Sequence, residues 1–197
     1  MLMLARTALL RVSRQVSATG YYFSVNVADS IIGVGAGLAL STANLGDTVG
    51  ADANSWGLIN DGTNWFIITN AGGTYIDTGV SVGSNKVVNV AWNAGNLYLG
   101  ASGTYFNSAG ASTGSTPTSP TFTGLTGPMY PFGTAARTDN DLTLQPAASP
   151  PTGYNAWGGT WNPSDKSANI TLTGSNLIAN RASTGDGVSV RGTVSYS

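Results

Sequence analysis

The chain has 197 residues, the length of one domain with a sizeable core, yet only 9% of them are charged and the formal net charge is −1; an ordinary soluble domain carries about a quarter of charged residues. It contains no Cys, no His and no Glu, which excludes disulfides, zinc–thiolate centres and a Ser-His-Asp triad. The few basic residues are scattered, so the electrostatic footprint of a nucleic-acid binder is missing as well. Ser, Thr and Asn keep such a surface wet in place of ions, a habit of extracellular, virion and fibre proteins. The aromatic residues, five Trp, eight Tyr and five Phe, supply apolar area for a core.

Residues 1–16 carry Arg6, Arg11 and Arg14. A transit peptide or membrane-surface helix has this composition, and the plainer expectation is an N-terminal arm or edge strand. No apolar run approaches the ~20 residues of a membrane-spanning helix. From Gly20 the chain reads as short β-type runs broken by turn residues. Tyr21 to Val27 is aromatic and β-branched and suits a half-buried strand. Ile31 to Leu40 is apolar but holds three glycines, which disfavour a helix and fit a buried strand with close backbone approach. Ser55 to Ile59 and Trp65 to Ile68 flank an Asp61-Gly62 turn and predict a hairpin. Lys86 to Trp92 and Leu97 to Gly100 flank Asn93-Ala94-Gly95-Asn96 and predict a second one.

Ala101 to Pro120, rich in Ser, Thr, Gly and Pro, reads as a long exposed loop containing one aromatic pair, Tyr105-Phe106. Short strands follow at Met129 to Gly133 and Asp141 to Leu144. Residues 146–160 read as a Pro/Gly-rich linker. Ile170 to Thr173 and Val188 to Val194 alternate as strands within a carboxy-terminal segment, 161–197. Many short strands at turn-punctuated intervals predict an all-β, antiparallel sandwich, its body in 17–145.

The order Ile32-Gly33-Val34-Gly35, Leu45-Gly46, Ser55-Trp56-Gly57-Leu58, Asp61-Gly62 and Trp65, followed by Val88 to Trp92, Leu97 to Gly100, Phe122-Thr123-Gly124-Leu125 and Met129-Tyr130-Pro131, resembles a SPRY (B30.2-like) domain. That family is a concanavalin-type jelly-roll sandwich, found also in phage tail and fibre proteins, and the likeness covers about Tyr21 to Gln145. The resemblance implies a recognition module in a virion. Two departures stand out. The family's acidic turn is Asn93-Ala94-Gly95-Asn96 here, and the stretch that usually opens phage versions lies at Trp161 to Ser197. This segment is expected either to complete the sandwich in cis or to pair with a neighbouring subunit by strand exchange.

Candidate ligand groups are Asp52 and Asn54, beside Asp47, then Asn60, Asp61 and Asn64, all near predicted turns where sandwich loops bind ligands. Such residues also build turns on their own account, and their oxygens can hold Ca²⁺, although the spacing matches no EF-hand loop. Tyr105 and Asn107 open the long loop, and Tyr154 and Trp157 lie in a Gly-rich segment where an aromatic ring either stacks on a sugar or anchors the sandwich. Trp56, Trp65 and Trp92 read as core. Asp139 and Asp141 flank one residue on a turn, a poor arrangement for a glycosidase. The expected function is a non-catalytic virion or extracellular module. It would be a phage tail-fibre or receptor-binding protein that attaches to a host surface glycan or protein and associates with other virion subunits as a homo-oligomer. The alternative is an architectural subunit, a capsid decoration or repeat unit, assembling by strand exchange.

Overall fold

The computed structural model describes residues 20–27, 33–69, 74–83, 86–135, 141–146, 149–181 and 189–196. The amino-terminal arm and Asp139 lie outside the described residues. Among those residues there are strands and turns only, and no helix long and apolar enough to cross a membrane.

The first eight strands are β1 (Gly20–Val27), β2 (Val34–Ala39), β3 (Ser55–Asn60), β4 (Asn64–Thr69), β5 (Thr74–Ser81), β6 (Val87–Asn93), β7 (Asn96–Ala101) and β8 (Thr104–Phe106). They continue as β9 (Ser112–Gly114), β10 (Tyr130–Ala135), β11 (Asp141–Gln145), β12 (Tyr154–Ala156), β13 (Trp161–Lys166), β14 (Ile170–Thr173), β15 (Ile178–Arg181) and β16 (Ser189–Gly192). Two antiparallel sheets pack face to face, so the all-β sandwich expected from the sequence is the fold. The larger sheet runs β14-β15-β11-β1-β6-β7-β8-β9 and the smaller one β13-β16-β10-β2-β3-β4-β5. Strand β12 lies parallel to the start of β1, pairing Gly20 with Tyr154, on the side where β11 pairs with its later residues.

Period-2 alternation explains the layering. On β1, Phe23, Val25 and Val27 point into the core while Tyr22 and Ser24 lie on the outer face. On β6 the inward residues are Val88, Val90 and Trp92, and on β7 they are Leu97 and Leu99. From the smaller sheet Val34, Ala36, Leu38, Leu58, Trp65 and Ile67 meet them, all fully buried. Trp65 and Trp92 are therefore core, and half-buried Trp56 packs against it. At Gly37 a Cβ would run into the backbone of Trp56, the close approach anticipated for this glycine-bearing strand.

The carboxy-terminal segment pairs within this chain and visits both sheets. Strands β13 and β16 extend the smaller sheet beyond β10, and β14 and β15 extend the larger one beyond β11. Trp157 and Trp161 enter the core fully buried. The stretch 146–160 thus holds a paired strand and a core tryptophan, and is no mere linker. Likewise 101–120 is not loop throughout. It returns as β8 and β9, and Phe106 faces the core opposite Leu99. Polar composition hid both, because a short strand lying over an existing sheet needs only one or two apolar residues to be held.

Two outer faces remain. The connection 40–54 folds over the smaller sheet, where Val49, Ala43 and Leu45 pack on Ala39 and Phe132 in a satellite core. Side chains from that sheet reach up to hold this roof. Thr134 Oγ1 accepts from the Val49 amide at 2.7 Å, and the Ser189 hydroxyl donates to the Asp47 carbonyl at 2.6 Å. Arg191, almost fully buried, donates to the carbonyls of Ala43 (2.6 Å) and Leu40 (3.3 Å). The same guanidinium grips the Asp165 carboxylate in a two-pronged ion pair, both contacts at 2.6 Å. Among the described residues, the outer face of the larger sheet has no such roof.

A tyrosine-floored cleft as candidate functional site

On that face Tyr22 of β1, Tyr105 of β8 and Tyr154 of β12 form a floor, with Tyr98 of β7 behind them. Glycine explains how the rings lie down. Tyr154 stands directly opposite Gly20, and Tyr105 directly opposite Gly100. A Cβ on Gly20 would sit 2.6 Å from the Tyr154 ring, and one on Gly100 would sit 3.1 Å from the Tyr105 ring. Each phenol covers bare backbone that a side chain would otherwise occupy, an aromatic–glycine pairing that favours a flat aromatic surface. Tyr98 meets Tyr154 edge-on, centroids 6.3 Å apart.

Above the floor opens a cleft of about 700 Å³, within the range of ligand pockets. One wall is residues 115–118, following β9, and the other is residues 149–152, leading into β12. Pro117, Pro150 and Pro151 stiffen the walls, and Ser and Thr hydroxyls line them. Asn89 of β6 lies at the bottom and accepts the Tyr22 hydroxyl proton at 2.7 Å, which leaves the amide nitrogen as a donor. None of the described lining residues is charged. Burial pushes the Tyr154 phenol up to about 12, helped by neighbouring Tyr98. Burial, reinforced by Tyr22 and Tyr154, pushes Tyr105 further, and burial also raises Tyr22 against a hydrogen bond from Ser24. The floor stays neutral and hydrogen-bonding at any physiological pH.

Tyr105 and Tyr154 are thus brought together, while the other expected ligand residues lie elsewhere. Asp52 accepts from the Asn44 and Asn54 amides and the Ser55 hydroxyl, and so braces the roof; it also borders a smaller depression with Trp56 and Phe122, of about 340 Å³. Asn54 gives its backbone amide to Asp52 and its carbonyl to the Leu40 amide. Asn60 is buried, donating to the Val34 carbonyl and accepting from the Gly62 amide. Asp61 accepts from the amides of Thr63 and Asn64 at 2.8 Å, which hold its carboxyl below the usual range. Asn64 donates to both oxygens of Asp77. Asn107 accepts from the Ala109 and Ala111 amides. Each serves a turn. Trp157 is the anchor rather than a presented ring. It donates to the Val194 carbonyl at 3.1 Å, packs edge-on against Phe23 and Tyr196, and its own carbonyl accepts from the Tyr196 hydroxyl.

Among the described residues no three of His, Cys, Asp and Glu gather where one metal ion would sit. The sequence reading missed Tyr22, Asn89 and both walls. The signal for Tyr22 and Asn89 was present in the alternation of their strands, but their convergence depends on the pairing of β1 with β6, which no local pattern encodes. No family model matches the chain, and no curated protein and no solved structure matches it either.

Proposed function

We propose that this chain is a non-catalytic recognition module that holds a surface ligand, glycan or protein, in the tyrosine cleft. The observation that carries the reading is the floor itself: aromatic rings laid over paired glycines beneath an open cleft, on an outer sheet face that the described residues leave without a roof. A concave aromatic-lined cleft rimmed by polar groups marks a site of contact. Nothing lining the cleft is a carboxylate, an amine or an imidazole, so it offers shape, stacking and hydrogen bonds rather than proton transfer. The setting, a phage tail fibre or receptor-binding protein that attaches to a host and associates with other virion subunits, rests on the SPRY-like order of segments. It agrees with a surface kept wet by hydroxyls and amides.

The test is binding of labelled full-length chain to a panel of intact bacteria. Saturable binding to some strains, weakened roughly tenfold or more by Thr118→Trp, which blocks the cleft from an exposed wall position, supports the reading. Binding that the variant leaves untouched, or no saturable binding to any strain, defeats it.

A further inference from the structure

We infer that the occupant of the cleft is an uncharged saccharide chain, stacked on Tyr154 and hydrogen-bonded by Asn89 and the wall hydroxyls. This rests on the cleft being the recognition site, and it adds the chemical class of the ligand. Three observations carry it.

The first is what the strands below can still offer. Strand β1 is paired on both sides, by β6 and by β11 and β12, and β7 lies between β6 and β8. Their main-chain donors and acceptors are taken, so across the floor there is no ladder for an extended peptide to join; a strand could add only along the outer edges of β12 and β9, each three residues long with one partner among the described residues. Over the floor recognition comes from side chains, and these are rings, hydroxyls and one amide. The second is the absence of charge. A ligand bearing carboxylate, sulfate or phosphate would shed hydration among described lining residues that include no Lys or Arg, with only neutral donors and no cation to offset the cost. The third is shape. Tyr22 and Tyr105 are buried, and the half-buried Tyr154 is the phenol that takes the apolar C–H face of a pyranose, while the equatorial hydroxyls point outward to Thr116, Thr118 and Thr152. The phenols, held protonated by burial, donate to ring or hydroxyl oxygens.

The experiment is a printed array of neutral and acidic microbial and animal glycans, probed with the full chain, followed by titration calorimetry on the strongest hit. The expected result is binding to neutral glycans, with affinity lowered roughly tenfold or more by Tyr154→Ala and by Thr118→Trp, and unchanged by Asp52→Ala. Thr118→Trp lies on an exposed wall and keeps the test valid if Tyr154→Ala fails to fold. Binding to acidic glycans alone overturns the inference and leaves the recognition site standing. Absence of any glycan binding, while bacterial binding persists and is lost in Thr118→Trp, also overturns it and points to a protein occupant, a Pro-rich peptide lying across the tyrosines being the first to try. Bacterial binding that ignores both variants removes the site itself.

Discussion

The two outer faces of this sandwich use polar residues in opposite ways. Over the smaller sheet, Asp47, Asp52, Asn44, Thr134, Ser189 and Arg191 are joined to one another or to the backbone, and together they hold a roof in place. Over the larger sheet, Asn89, the phenols and the wall hydroxyls surround an open cleft. The roofed face is the richer in carboxylates and looks more like a binding site in sequence. The difference teaches that unsatisfied hydrogen-bonding capacity beside apolar surface marks a site, and that polarity alone does not.

Substitutions can break this contrast. The largest effect is expected from Trp157→Ala, because the ring lies fully buried in the core just beyond β12, whose Tyr154 belongs to the cleft floor. A loss of about 3–5 kcal/mol in denaturant unfolding is expected. A loss below about 1 kcal/mol would mean that this segment is held by something other than the tryptophan. Asp52→Ala should cost about 1–2 kcal/mol, since three accepted hydrogen bonds in the roof disappear while water replaces some of them. A matching loss of ligand affinity would erase the contrast between the faces.

The smallest effect is a pH dependence. Tyr154 keeps its proton up to about 12 in the folded chain, whereas an unfolded tyrosine loses it near 10. The raised folded value contributes stability that is complete below about pH 10 and is lost as the pH climbs toward 12, with Tyr105 and Tyr22 acting in the same direction. Ultraviolet absorbance titration of wild type against Tyr154→Phe should remove one late-ionising phenol. A titration in which every tyrosine ionises near 10 would show the floor to be solvated.

The layers of the fold were legible because they follow short-range rules. Alternation along Tyr21 to Val27 and Val87 to Trp92 announces which residues face inward, and Asp61-Gly62 announces a hairpin that forms as β3 and β4. Tyr105 and Tyr154 stood out as aromatics in polar, Gly-rich surroundings. The site as a whole was not legible, because Gly20 and Gly100 have meaning only through strands lying opposite them, one of them 134 residues away by chain number (154 − 20). Trp157 shows the same limit. Its neighbours are small and polar, and the aromatic cluster that buries it comes from Phe23 and Tyr196 at distant points of the chain.

The carboxy-terminal segment also sets a timetable. The Ser189 hydroxyl bonds to a carbonyl 142 residues earlier and Arg191 to one 151 residues earlier, and β16 fills the place between β10 and β13. During synthesis at about 5–20 residues per second, the earlier strands must wait many seconds with an open flank before β16 emerges from the ribosome. Closing loops of that length is slow, and waiting strands with bare edges are vulnerable to pairing with other chains. The low content of charged residues leaves little repulsion to keep nascent copies apart, so the interval before the clasp closes is when pairing between copies is the greatest hazard.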